Sequence, residues 1–376
     1  MKIVHVINGL KDGGTEQTLF KICKYDIKNQ HIVISLSKKG KYFLLLKKIN
    51  IKVYCIDLKY YSVIKFFSLI KLIKFLKPNT IQTWLAHGDF IGGLAAKLAG
   101  FNQIVWNIRY SKLDKSTTKL TTLCLIRILS KLSFIIPKLI AGVSKSVLKN
   151  CKDLGYCKKK LRLIYNGYEL VNIKSSKLKI NFRKRYKVQK NIPILGAVAR
   201  YDETKDHTNL LKALSILKKK NINFLFLLVG RNINTKNNTL INQIKEFRLS
   251  NSVKLLGSKN NILQIMSIID MHILSSKTEG FPNVVAEAMS CGTPCVVTDV
   301  GDSASIVGKT GWVVPPNNPI KLANAIAKGI AEIDKKDWQI RCNQSKLRIK
   351  NNFGIDKMIK LYNLVWSEAN VNIIDI

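Results

Sequence analysis

Short apolar, β-branched runs alternate along this chain with longer segments whose apolar positions recur at helical spacing. In the first half the runs fall at 3–7, 31–36, 51–56, 80–84, 104–108, 139–143 and 161–165. A second series begins at 194 and continues through 224–229, 253–256, 271–274, 294–298 and 312–314. Helical patterns lie between them, at 16–24, 61–76, 89–99, 208–219, 283–290 and 321–332. Strand–helix alternation of this kind builds parallel sheets with helices on both faces. About a dozen strands is too many for one sheet of ordinary size. The pattern therefore predicts two doubly wound, Rossmann-like α/β domains. The expected boundaries are 1–170 for the first domain and 191–355 for the second. The polar, basic and weakly periodic stretch 171–190 reads as a linker. The amphipathic segment 356–376 reads as a closing helix able to pack back on the first domain.

Composition supports two real cores, with 376 residues of which 47% are apolar. The charge is the unusual feature: 63 Lys and Arg against 23 Asp and Glu, a net of +40. The excess is spread out, +23 over 1–170 and +17 over the remainder. An Asn-, Ile- and Lys-rich composition of the kind AT-rich coding produces supplies part of it. The rest implies an anionic partner such as nucleic acid, phospholipid or a phosphorylated substrate. A nucleic-acid binder would need a localised basic stripe with aromatics or a known module. Neither is present, so no nucleic-acid partner is expected.

Met1 runs straight into an apolar strand, so no signal peptide is expected, and no uninterrupted apolar run is long enough to span a bilayer. The eight cysteines form no zinc or disulfide framework. Cys291 and Cys295 read as two small buried thiols, and the five histidines show no ligand pair. No metal site is therefore expected.

In parallel α/β sheets ligands bind beyond the carboxyl ends of the strands, so the loops there carry the candidate chemistry. The first strand runs into Asn8–Glu16 with Gly13 and Gly14 ahead of a helix. Two glycines there let backbone N–H groups approach an anion at a helix N-terminus. The loop does not match Gly-x-Gly-x-x-Gly, which disfavours a nicotinamide dinucleotide. The first strand of the second domain ends in Arg200-Tyr-Asp-Glu-Thr-Lys205. Two cations at a strand's carboxyl end suit a diphosphate. The strand 271–274 opens into a loop carrying Glu279, Gly280 and Phe281, with Pro282 suited to the first turn of the helix that follows. Glu287 falls on that helix beside Val284, Ala288 and Cys291, which are expected to form an apolar face. A carboxylate on an inward face needs a partner, and a ribose diol is one.

The segment Glu279-Gly-Phe-Pro-Asn283-Val-Val-Ala-Glu287-Ala-Met-Ser-Cys-Gly-Thr-Pro resembles the two-glutamate motif of family 4 glycosyltransferases, which have the GT-B fold. The likeness extends over nearly the whole chain, through Gly13-Gly14, Asn166-Gly167, Arg200 and Lys205. It implies two domains facing a central cleft and retaining sugar transfer from a nucleoside-diphosphate donor. It assigns Arg200 and Lys205 to the diphosphate, Glu279 to the donor sugar and Glu287 to the ribose. Gly280, Phe281, Pro282 and Asn283 complete that donor loop. His87, in Gln82-Thr-Trp-Leu-Ala-His-Gly-Asp, matches a first-domain histidine facing the reacting sugar. Arg109 resembles an arginine of some polysaccharide-assembly members, on the acceptor side. Tyr165-Asn-Gly-Tyr-Glu169 departs from the more usual Pro-Asn-Gly-x-Asp.

No Asp-x-Asp occurs, so the resemblance implies metal independence with cations and helix N-termini in the metal's place. The nucleotide sugar is a substrate, and no cofactor is expected. The expected setting is the cytoplasm at the inner face of the cell membrane, with an anionic bilayer and a glycan or lipid-linked acceptor as partners. The alternatives are two other enzymes of the same fold, a sugar phosphorylase and a nucleotide-sugar epimerase, and, less favoured, a nucleic-acid-binding protein.

Overall fold

The computed structural model describes residues 1–58, 62–110, 120–171 and 175–371. The chain divides into two compact units: Met1–Gly167 joined by the segment from Ile355 onward, and Tyr168–Gly354. Both are parallel-sheet Rossmann-like units, as the alternation of runs predicts.

The first unit is built on β1 (Lys2–Ile7), β2 (Gln30–Ser35), β3 (Lys52–Cys55), β4 (Thr80–Trp84), β5 (Ile104–Ile108), β6 (Leu139–Gly142) and β7 (Leu161–Leu163). They form a seven-stranded parallel sheet in the order β3-β2-β1-β4-β5-β6-β7. The order reverses between β1 and β4, the point at which such sheets bind ligands. Its helices are α1 (Gly14–Tyr25), α2 (Lys41–Lys48), α3 (Val63–Leu76), α4 (Leu85–His87), α5 (Gly93–Leu98), α6 (Leu120–Leu132) and α7 (Lys145–Asp153).

Period-2 alternation decides which helix covers which face. Ile3, Ile7 and Trp84 share a core with Leu19 and Ile22 of α1 and Leu46 of α2. Val6 and Thr83 point the other way. There a methyl group on Gly92 would stand 2.7 Å from Val6 Cγ1, so the chain ahead of α5 lies directly on the sheet. The helix from Ile355 to Asn370 closes the first face, burying Met358, Tyr362, Val365, Trp366 and Ala369 in the same core. Their spacing of three to four residues is the amphipathic pattern that singled this segment out.

The second unit is built on β8 (Ile194–Val198), β9 (Leu225–Val229), β10 (Val253–Gly257), β11 (Met271–Leu274), β12 (Cys295–Thr298) and β13 (Trp312–Val314), ordered β10-β9-β8-β11-β12-β13. Its helices are α8 (Ser175–Tyr186), α9 (His207–Lys219), α10 (Asn238–Glu246), α11 (Ile262–Ile268), α12 (Asn283–Ser290), α13 (Ser303–Val307), α14 (Pro319–Ile330) and α15 (Asp337–Phe353); the closing helix of the first unit is α16. One core joins Leu195, Phe226, Met271 and Val296 to α9, α10 and α14. The other face holds Ile194, Leu225 and Leu227 under α8.

Several local expectations need correction. Residues 171–190 are not a bare linker: Ser175–Tyr186 is a helix, and Leu178 and Phe182 pack on the second core. A polar, lysine-rich helix with only two apolar anchors hides its period. The helix expected at 61–76 begins at Val63, and Tyr61 lies outside the described residues. The segment expected as one helix at 89–99 opens with a π turn, Gly88–Gly92, before α5.

The histidines, too, are not all apart. β1 and β2 pair with Ile3 opposite His31 and His5 opposite Val33, which sets the two rings diagonally on one face. Trp84 Nε1 donates to His5 Nδ1 at 3.3 Å, His5 Nε2 meets His31 Nδ1 at 2.9 Å, and His31 Nε2 meets Asp26 Oδ2 at 3.2 Å. Cys23 adjoins them, so the three side chains lie close enough to share an ion. Every ring nitrogen is already matched in one consistent series of hydrogen bonds ending on a carboxylate. The cluster is therefore built as a buried polar relay.

Candidate active site

Three strand-end loops of the second unit converge on Glu279. The loop after β8 forms a 3₁₀ turn at Glu203–Lys205 and hands over to α9 at Asp206. Asp206 adopts φ +48° and caps the helix by accepting from Asn209 N–H at 3.1 Å. The loop after β11 is fastened to it twice: Ser275 Oγ donates to the Lys205 carbonyl at 2.9 Å, and Lys277 N–H donates to the Thr204 carbonyl at 2.8 Å. The loop after β12 lies over both. Gly301 has φ +58°, and a side chain there would stand 2.5 Å from the Glu279 carbonyl and 2.6 Å from that of Gly280. Only glycine permits that backbone to pass so closely. Asp302 N–H donates to the Gly280 carbonyl at 3.1 Å, and Thr298 Oγ1 to the Ser276 carbonyl at 2.8 Å.

The result is a charge pair at the carboxyl edge of the sheet. Lys205 Nζ lies 2.5 Å from Glu279 Oε1, which also accepts from Ser276 Oγ at 2.7 Å. The two side chains retain 19% and 12% exposure, so the pair is shielded yet reachable. Arg200 is more open, with 51% exposure, and its Nε donates to Asp202 Oδ2 at 3.0 Å. Burial alone would raise the Asp202 carboxyl, but hydrogen bonds from Thr204 and Arg200 outweigh it and hold it down at about 2. His207, at the start of α9, is pushed down to about 4 by burial first and by the Lys205 charge second. A neutral ring here adds no charge to that of Lys205 and Arg200.

Of the other residues expected to form a donor loop, Phe281 and Pro282 bury their side chains. Phe281 stacks on Tyr168 at 6.3 Å between ring centres and meets Phe353 edge-on at 5.8 Å. Asn283 Oδ1 accepts from Tyr168 Oη at 2.5 Å. These three residues set the entry of α12, and what Phe281 and Pro282 offer a ligand is backbone. The helix begins at Asn283, with Pro282 as its cap rather than in its first turn. The expected face of α12 is also corrected. Its buried side is Val285, Ala286, Ala288 and Met289, while Glu287 is half-buried along with Val284 and Cys291. At 100° per residue the stripe through 285 and 289 fixes the inward side, which puts Glu287 on the flank. Cys291 and Cys295 are free thiols, the second buried and the first half-buried.

In the first unit the candidates occupy the carboxyl edge of the other sheet. Gly13 caps α1 in extended conformation, and the Glu16 carboxylate folds back so far that a methyl group on Gly13 would stand 2.5 Å from its Oε2. Burial raises the Glu16 carboxyl despite the Arg109 charge nearby. Arg109 is held in a polar network. Its Nη2 donates to Thr18 Oγ1 at 3.0 Å and to Asn166 Oδ1, its Nη1 reaches Asn107 Oδ1 at 3.4 Å, and its guanidinium lies 5.8 Å above the Trp84 ring. These bonds tie β5 to the Asn166-Gly167 turn, a structural duty the sequence did not disclose. His87 ends α4, half-buried, after Leu85 at φ +66°.

The sequence reading passed over Asp89, two residues on. It is 1% exposed, its Oδ1 accepts from Thr83 Oγ1 at 2.5 Å, and burial raises its carboxyl well above the usual range. The buried Asp89 carboxyl thus pins the π turn that follows His87. Its signal was the Asp inside an otherwise apolar stretch.

Residues 179–341 match the model of the family described as glycosyl transferases group 1. The second unit carries a group 1 glycosyltransferase domain. The matched span includes Arg200, Lys205, Glu279 and Glu287. The chain is 26% identical over 296 residues to the capsular polysaccharide biosynthesis glycosyltransferase CapH of Staphylococcus aureus, covering 77% of this chain and 78% of that one. It is 24% identical over 313 residues to an Escherichia coli UDP-Gal:alpha-D-GlcNAc-diphosphoundecaprenol alpha-1,3-galactosyltransferase, covering 81% and 79%. The crystal structure of Anabaena Alr3699/HepE in complex with UDP superposes with a TM-score of 0.84 over 98% of this chain and all of that one, at 21% identity. Likeness at that identity speaks to the fold, which is that of GT-B glycosyltransferases.

Proposed function

We propose that this chain is a retaining, metal-independent hexosyltransferase of family 4 that moves a sugar from a UDP-sugar to a glycan or lipid-linked acceptor in cell-surface polysaccharide synthesis. The observation that carries the reading is the Lys205–Glu279 pair, set by three loops at the carboxyl edge of a group 1 glycosyltransferase domain. The named activities of the relatives favour this class of product and acceptor. The UDP complex of the similar fold favours uridine as the nucleoside.

Transfer breaks the bond from the anomeric carbon to the diphosphate and forms one to the acceptor oxygen. Negative charge grows on the departing phosphate while positive charge grows on the sugar ring. Lys205 and Arg200 supply donors to the phosphate, and the N-terminus of α12 adds its partial positive charge. The acceptor hydroxyl proton passes to the departing phosphate oxygen on the same face, which retains configuration. Glu279 orients the sugar, Glu287 takes the ribose, Gly13 and Gly14 leave room for the phosphates, and His87 faces the reacting sugar. No cofactor takes part. The enzyme works at the inner face of the cell membrane, and no helix among the described residues is long and apolar enough to cross it.

The test is transfer from UDP-sugars in EDTA, with early-time NMR of the product. Activity in EDTA with the donor's anomeric configuration kept is the expected result. Inversion, or activity restored only by a divalent ion, would overturn the mechanism.

A further inference from the structure

The face of the first unit opposite α1, α2 and α16 carries a surface that folding leaves unfinished. α3 packs against α5 through one side only, burying Leu69, Ile70, Ile73 and Leu76. Its other side presents Ile64, Phe67, Lys71 and Phe75, which recur every three to four residues and so form one stripe. Phe67 is 57% exposed, Phe75 77% and Ile64 79%. A helix that only covers a sheet would place polar residues there.

The stripe does not end with α3. Leu98 at the end of α5, and Phe134 and Ile135 after α6, are also more than half exposed. Ile136 packs within 3.0 Å of where a side chain on Gly93 would stand, so the chain after α6 adjoins α5. Lys160 joins the same place, donating to the Ser133 and Phe134 carbonyls at 3.0 and 2.6 Å. Burial lowers the Lys160 ammonium, Cys157 opposes this, and Lys97 and Lys138 depress it further, which marks three like charges held together.

The segments 63–77, 93–102, 120–138 and 156–160 contain eleven Lys or Arg and no Asp or Glu. Exposed aromatic and aliphatic side chains among cations, with no acid in these segments, match an anionic lipid surface in both respects. The lysines meet the headgroups, and the rings enter the boundary beneath them.

We propose that this face, from the outer side of α3 across the end of α5 to the 133–138 and 158–160 segments, is the surface by which the protein docks on an anionic bilayer. The placement on the cytoplasmic leaflet rests on the transferase reading; the docking face rests on the first unit alone. A +40 charge spread everywhere would attract lipid from any side. An apolar stripe within one basic face selects a side.

The experiment is co-sedimentation of the full chain with vesicles of phosphatidylcholine, with or without about one-third phosphatidylglycerol. The chain should bind the anionic vesicles and ignore the neutral ones. K71E/K74E should weaken anionic binding by about thirtyfold or more, from roughly fivefold for each lysine removed. F67S/F75S should weaken it roughly tenfold, and that loss should persist in high salt, where the effect of charge reversal shrinks.

K212E/K219E on exposed positions of α9 makes the same change in net charge elsewhere and should leave binding close to the parent. Equal losses for both reversals would mean that bulk charge alone drives binding and would overturn the proposal. Equal binding to neutral vesicles would overturn it too. So would retention on an acidic protein matrix without vesicle binding, which would assign the face to a protein partner. Transfer to a water-soluble acceptor, measured on the same variants, reads the transferase reading separately. Its absence in every sample, with vesicle binding intact, would count against the activity and leave the docking face standing.

Discussion

The Lys205 ammonium, which the proposed mechanism sets against the diphosphate, is paired with a carboxylate. Lys205 Nζ sits 2.5 Å from Glu279 Oε1, and both side chains are largely shielded from water. A diphosphate taking the other side of the same ammonium would bring its oxygens to roughly 5–6 Å from the Glu279 carboxylate, and at an effective dielectric of about 20–80 the repulsion is on the order of 0.7–3 kcal/mol. Glu279→Gln removes that repulsion and keeps an oxygen that can accept from Ser276 and Lys205. UDP should therefore bind Glu279→Gln more tightly, by about threefold at the least. Turnover should fall, because the carboxylate proposed to orient the donor sugar is lost. Lys205→Ala should act in the opposite sense on affinity, losing roughly 1.5–3 kcal/mol for a hydrogen bond to a charged group. Arg200→Ala should lose less than Lys205→Ala, since half of its surface is in water. Calorimetric titration with UDP in EDTA, at low and moderate salt, measures all three. If Glu279→Gln weakens UDP as Lys205→Ala does, the pair is not in competition with the phosphates and the reasoning fails.

Gly301→Ala should cost at least about 1–2 kcal/mol from its left-handed backbone alone, with more from the Glu279 and Gly280 carbonyls; an unchanged melting temperature and unchanged UDP affinity together would refute the close-approach argument. Acid should destabilise the second unit through His272 and His207, both held down at about 4 by burial, with both ring nitrogens of His272 lacking a partner among the described residues. Because the unfolded chain takes up protons from its ordinary value downward and the folded chain does not until about 4, stability is full above the ordinary histidine range and is lost as pH falls toward that value, by on the order of 3 kcal/mol per histidine. Urea titrations across that window should show a shallower slope for His272→Leu than for the parent, and identical slopes would contradict the assignment. Asp89→Asn keeps an oxygen that can accept from Thr83 and should cost less than Asp89→Ala, which should lose about 2–3 kcal/mol by leaving Thr83 and the π turn without their anchor. Equal losses for the two in urea titrations would mean that the bond from Thr83 is not what holds the turn.

The sequence by itself determined the architecture. Uninterrupted apolar runs between helical periods can only become buried parallel strands, so the two sheets and most helices follow from local pattern. It also nominated Arg200, Lys205, Glu279 and Glu287 as candidates, because ligands gather at the carboxyl ends of such strands and those loops are contiguous in the chain. What it could not carry was anything decided between strands. The Lys205–Glu279 pair joins residues 74 apart, and only the adjacency of β8 and β11 makes them partners. The bonds from Arg109 to Thr18 and Asn166, and the relay of His5, His31 and Asp26, come from register and from strand order in the same way. Burial was the other unknown. Glu287 belongs on the flank of α12 and Asp89 in the interior, although both lie on segments that read as apolar. The apolar residues of α3 are not confined to one side of the helix, and only packing shows that Leu69 and Ile73 face the protein while Phe67 and Phe75 face outward. Periodicity gives the angle between side chains on a helix; which angle points inward is settled by the neighbours that the rest of the chain supplies.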